Sequence, residues 1–66
     1  MTPKNKSVST PAQTKILLVD DHPMMRQGLA QLINSERDLL ACGEAENAQE
    51  AVAAIASTQP DLVLTD

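Results

Sequence analysis

Residues 15–23 read Lys15-Ile16-Leu17-Leu18-Val19-Asp20-Asp21-His22-Pro23. Four aliphatic side chains in a row, branched at both ends, suit a parallel strand covered on both faces. An acidic pair ends the run abruptly. Pro23 then opens a helix, because proline is favoured at the first helical position, where its missing N–H would be unbonded anyway. His22 takes the cap position. Met25, Leu29, Leu32 and Ile33 follow at i, i+4, i+7 and i+8, one face of a helix predicted over residues 23–34. Gly28 weakens that helix by about 1 kcal/mol relative to Ala without ending it. Asn34-Ser35 and the charged Glu36-Arg37-Asp38 stop it.

The same grammar continues outward. Leu39 to Ala45 reads as a second strand. Asn47 is a good N-cap, and Glu50 three residues on resembles a capping box. Ala48, Ala51, Val52, Ile55 and Ala56 repeat the helical pattern, which predicts a helix over 47–58. Pro60 disfavours helical geometry at Gln59. Residues 61–65, Asp61-Leu62-Val63-Leu64-Thr65, form a third short apolar strand, followed by Asp66. Strand, helix, strand, helix, strand implies an α/β fold with a parallel sheet and right-handed crossovers. Residues 1–14 hold two Pro, three Thr and two Ser, and read as a disordered leader that carries no catalysis.

Composition narrows the function classes. The 66-residue chain has room for one small domain, and it contains no Phe, Tyr or Trp. Its one cysteine, Cys42, cannot form an internal disulfide and reads as a small core residue; no Cys/His spacing suggests zinc. That suits a cytoplasmic protein. The longest unbroken apolar run is Ile16 to Val19, far short of a membrane span, and no signal peptide opens the chain. Net charge is −4, but residues 15–66 carry only Lys15, Arg26 and Arg37 against nine acids. Such a body is a poor electrostatic match for nucleic-acid phosphate.

Three acids fall where ligands of parallel sheets sit, beyond the carboxyl ends of the strands: Asp20, Asp21 and Asp66. If the first and third strands are neighbours, they lie roughly 5 Å apart and the three carboxylates share one pocket. Two unit charges about 6 Å apart repel by roughly 3 kcal/mol at an effective dielectric of 20. The cluster must raise a pKa, spread into water or bind a cation. A hard ion such as Mg²⁺ fits all-oxygen ligands best. One carboxylate would then be free to attack a phosphoryl group while the others hold the metal. The plainer reading of a single Asp at a strand end is a turn or cap residue; the recurrence of acids after two similar strands favours the site. His22 reads as a helix cap, Met24 and Met25 as helix packing, and Thr65 as a strand residue.

Residues 16–23 followed by Arg26-Gln27-Gly28-Leu29 resemble the opening of bacterial response-regulator receiver domains, in the form typical of the NarL/FixJ (LuxR-type) branch. Cys42-Gly43-Glu44-Ala45 and the Ala-rich helix after it resemble the family's second strand and helix. Pro60 to Asp66 resembles the segment that ends at the phospho-accepting aspartate. The resemblance implies a partial doubly wound, flavodoxin-like sheet of order 2-1-3. It implies that Asp66 is the phospho-acceptor, taking its phosphoryl group from a sensor histidine kinase. Asp20 and Asp21 would hold Mg²⁺, with Asp66 as third ligand. A receiver continues past its acceptor into segments that supply a carbonyl ligand, a Thr or Ser hydroxyl and a Lys. Residues 15–66 are therefore expected to be an incomplete receiver, the N-terminal half, with its C-terminal half and any DNA-binding output domain absent. Such a segment is a signalling module, not an enzyme, and would touch DNA only through that output domain.

Four rival readings arise from the same residues. The half-receiver would act as a non-catalytic interaction module, pairing through its open edge with an intact receiver, or it would be an inactive gene fragment. Dehalogenase-type phosphatases place a second Asp two residues after the first, but position 22 is His. Cobalamin modules use Asp-x-His-x-x-Gly, but Met25 stands at the Gly position.

Overall fold

The computed structural model describes residues 12–65. Five elements follow one another: β1 (Thr14–Val19), α1 (Pro23–Asn34), β2 (Leu39–Ala45), α2 (Ala48–Thr58) and β3 (Leu62–Thr65). The strands form one parallel sheet of order β2-β1-β3. This is the expected alternation and the expected order. The differences are single residues. β1 begins at Thr14, inside the stretch read as leader: its N–H donates to the Asp38 carbonyl (2.8 Å), and Leu39 is its strand partner. Residues 1–11 of that leader lie outside the described residues. β3 begins at Leu62 because Asp61 is used as a clamp. Its N–H donates to the Lys15 carbonyl and its Oδ2 accepts from the Lys15 N–H, both at 2.8 Å.

β1 is central, so its consecutive Ile16, Leu17 and Leu18 are all buried. Alternation along the strand sends them to opposite faces. Ile16 and Leu18 pack with Ile33 of α1, flanked by Leu29, Ala30, Leu39 and Ala41. Leu17 fills the other face, beneath α2. A Cβ on Gly43 would sit 3.2 Å from Leu17 Cδ1 and 3.4 Å from Thr58 Cγ2. Gly43 is thus where strand and helix meet closely. The register slips here: Ile16 pairs with Ala41 but Leu17 with Gly43, leaving Cys42 as the extra residue of a bulge. Cys42 is half-buried, its Sγ 3.6 Å from Thr58 Oγ1.

Each helix turns less of its apolar surface inward than its periodicity predicts. In α1, Leu29, Ala30 and Ile33 meet the sheet, while Met25 and Leu32 stay exposed. In α2, the small residues Ala51 and Ala54 and the half-buried Thr58 face inward, while Val52 and Ile55 look outward. Close approach over Gly43 selects the small row, and a three-stranded sheet is too narrow to cover the wider stripe. β3 touches only β1 among the described elements, and its four residues are exposed.

The caps explain where α2 stops and starts. Asn47 Oδ1 accepts from the Glu50 N–H (2.8 Å), and Glu50 Oε1 in turn accepts from the Glu46 N–H (3.0 Å), one residue further out than in a standard capping box. At the other end Gln59 adopts a left-handed conformation (φ 50°) and its N–H donates to the Ile55 carbonyl. The Lys15 ammonium donates to the part-buried Thr58 carbonyl.

Candidate functional site

All three strands release the chain at one rim. Val19, the last residue of β1, is the register partner of Ala45 on one side and Thr65 on the other. Asp20 continues alongside β2, its N–H donating to the Ala45 carbonyl at 3.0 Å. Its side chain is 9% exposed, so its carboxylate must be satisfied by the protein. Oδ1 accepts from the His22 N–H (2.9 Å) and lies 2.8 Å from His22 Nδ1. These bonds, the ring's first and the backbone N–H second, hold the Asp20 carboxyl below the ordinary 3.8 against the opposing effect of burial. Asp21 points to solvent, and its Oδ1 also lies 2.8 Å from His22 Nδ1.

His22 does occupy the N-cap position of α1, but its side chain makes no cap bond. The ring is drawn instead to the two carboxylates. Ligand-type atoms of Asp20, Asp21 and His22 lie within 4.8 Å of one another. Beside them Thr65 and Glu46 line a cavity of about 280 Å³ with Val19, Asp20 and Asp21. A second, larger cavity of about 340 Å³ lies on the α1 side, between Asp20, His22, Met25 and Leu64.

The structure therefore brings Asp20 and Asp21 together. Asp66 lies outside the described residues; its chain neighbour Thr65 stands beside Val19. Sequence reasoning missed Glu46, although it directly follows a strand end, as Asp20 and Asp66 do. It also missed the use made of Arg26. Arg26 Nε donates to Glu44 Oε1 (2.8 Å), and Nη1 donates to the Asp20 carbonyl (2.5 Å). Neither residue shows an apolar or catalytic pattern, so only the fold reveals the link.

The donor chemistry fits a small hard cation. Two carboxylates stand at an open rim with room for water, which is how such ions are commonly held: few protein oxygens and several waters.

Comparison with known proteins settles the family. The model of the response regulator receiver domain matches residues 16–66. The chain belongs to the response regulator receiver domain family. Over 51 residues it is 47% identical to the nitrate/nitrite response regulator protein NarL of Escherichia coli (strain K12), covering 77% of this chain and 24% of that protein. It is 38% identical over 52 residues to the response regulator protein VraR of Staphylococcus aureus (strain Mu3), covering 79% of this chain and 25% of that protein. The chain thus spans about a quarter of the length of the curated relatives it matches. No solved structure matches it. The receiver assignment and its NarL-type likeness agree with the reading of residues 16–29 and 60–66, and they place the chain in phosphorylation-based, two-component signalling. No helix among the described residues is long and apolar enough to cross a membrane.

Proposed function

We propose that this segment is the acceptor side of a phosphoryl transfer, with Asp66 as the residue that takes the phosphoryl group from a phosphohistidine of a sensor kinase. A carboxylate oxygen of Asp66 attacks phosphorus, the P–N bond breaks, and its electron pair stays on the imidazole, which takes a proton from water. The product is an acyl phosphate. Asp20 and Asp21 would hold Mg²⁺, with Asp66 as third carboxylate. When bound, the ion neutralises charge on the carboxylates and on the phosphoryl oxygens. Asp20, held through Oδ1 by His22, would be the fixed ligand, and the exposed Asp21 the adjustable one. In the parent regulator this event controls transcription through a separate output domain.

The observation that carries the reading is the register of Val19 with Thr65, which sets the residue before Asp20 beside the residue before Asp66. Incubation with Mg²⁺ and a small phosphodonor tests it. Labelling is weak or absent, because β3 meets only β1 among the described elements, and whatever label forms is lost in Asp66→Asn. Labelling that survives Asp66→Asn contradicts it.

The exposure of Leu62, Val63 and Leu64 favours a second reading, an interaction module that adds its β3 edge to an intact receiver. A pull-down against an intact receiver of the same branch tests this, and no association at micromolar concentration removes it.

A further inference from the structure

Both backbone polar groups of Asp20 are tied to other elements. Its N–H is bound to the Ala45 carbonyl of β2, and its carbonyl accepts from Arg26 Nη1 of α1 at 2.5 Å. The guanidinium is itself held, through Nε, by Glu44 Oε1 at 2.8 Å. The Arg26 side chain is only 17% exposed. A half-exposed ion pair contributes little stability on its own. Its geometry does something more specific. The guanidinium is a rigid planar fork, so seating one donor on Glu44 fixes the direction of the other. The carbonyl it grips belongs to the Asp20–Asp21 peptide. That peptide is planar, so holding its oxygen fixes the direction in which the chain leaves towards Asp21 and His22.

We infer that Arg26, oriented by Glu44, is a positioning residue that sets the Asp20–Asp21 peptide so that the two carboxylates converge on one cation. The inference rests on the metal reading above, and its test separates the two. The full 66-residue chain is titrated with Mg²⁺ and followed by amide NMR, as wild type, Arg26→Lys, Glu44→Gln and Ile33→Val. Arg26→Lys keeps the charge but loses the fork. Ile33→Val trims the buried core away from the rim and serves as the stability control.

Arg26→Lys moves the Asp21 and His22 amides even without metal, and weakens Mg²⁺ binding about tenfold or more, the usual effect of removing a residue that orients a ligand. Glu44→Gln does the same to a smaller degree, since its amide oxygen still accepts from Nε. Ile33→Val lowers the urea midpoint and leaves Mg²⁺ affinity unchanged. Unmoved Asp21 and His22 amides with wild-type affinity in Arg26→Lys overturn the inference. So does an affinity loss that Ile33→Val reproduces. If the wild type ignores Mg²⁺ while Arg26→Lys still moves the two amides, the metal reading fails and the positioning stands. Should Arg26→Lys not fold, Glu44→Gln carries the same comparison.

Discussion

Val19 of β1 and Thr65 of β3 are register partners in adjacent parallel strands, and the residues that follow them in sequence are Asp20 and Asp66. Parallel pairing is what makes this possible. In an antiparallel pair the two strands would release their chains at opposite ends, and Val19 and Thr65 would be separated by the length of the sheet. The apolar run from Ile16 to Val19 therefore decides more than burial: by taking parallel neighbours on both sides it brings the ends of β1, β2 and β3 to one rim.

Gly28 and Gly43 respond to alanine with opposite sign. Nothing lies within 4 Å of a Cβ built on Gly28, which sits inside α1. Gly28→Ala stabilises the chain by about 0.5–1 kcal/mol, because alanine loses less backbone freedom in a helix. Gly43→Ala presses on Leu17 and Thr58 and destabilises by about 1–3 kcal/mol, the usual range for overpacking. Urea midpoints at constant m-value check both; equal effects of the two changes contradict the packing described for β2 and α2.

The Asp20 carboxyl titrates below 3.8 in the folded chain, and His22→Ala raises it towards that value, since the His22 ring is the largest cause of the lowering. For a lowered carboxyl, the stabilising contribution is fully present above 3.8 and is lost as pH falls through the folded value. Carboxyl carbon NMR of the two proteins measures this directly. A titration of Asp20 unchanged by His22→Ala contradicts the bond between them.

Much of the fold was legible because each element carried its own punctuation. Pro23 marked the start of α1, Asn47 and Glu50 the start of α2, and Gln59-Pro60 its end, and these are the boundaries found. What was not legible depends on partners distant in the chain. Leu32 and Val52 match the helical period yet lie exposed, because the width of the sheet, not the period, decides how much of a helix is covered. The acidic pair was visible as a motif, but the ring of His22 between the carboxylates was not, since a residue before Pro23 reads first as a cap. Arg26 and Glu44 lie 18 residues apart, and no local pattern links them.

β3 is an exposed parallel edge with three half-exposed aliphatic side chains, the sort of strand that invites pairing between chains. Leu62→Lys, at the most exposed of the three, delays the onset of light scattering at high concentration and leaves the far-ultraviolet circular dichroism unchanged. Faster aggregation of the lysine variant contradicts an edge-driven process.

The central claim is that Asp20, Asp21 and Asp66 share one cation. Mn²⁺ added at low stoichiometry in place of Mg²⁺ broadens the amide resonances of residues close to it. The expected result is that Asp20, Asp21 and Asp66 broaden together and recover together when Mg²⁺ is added in excess. A sharp Asp66 resonance beside a broadened acidic pair, or broadening that begins at Glu36 and Asp38 instead, contradicts the shared site.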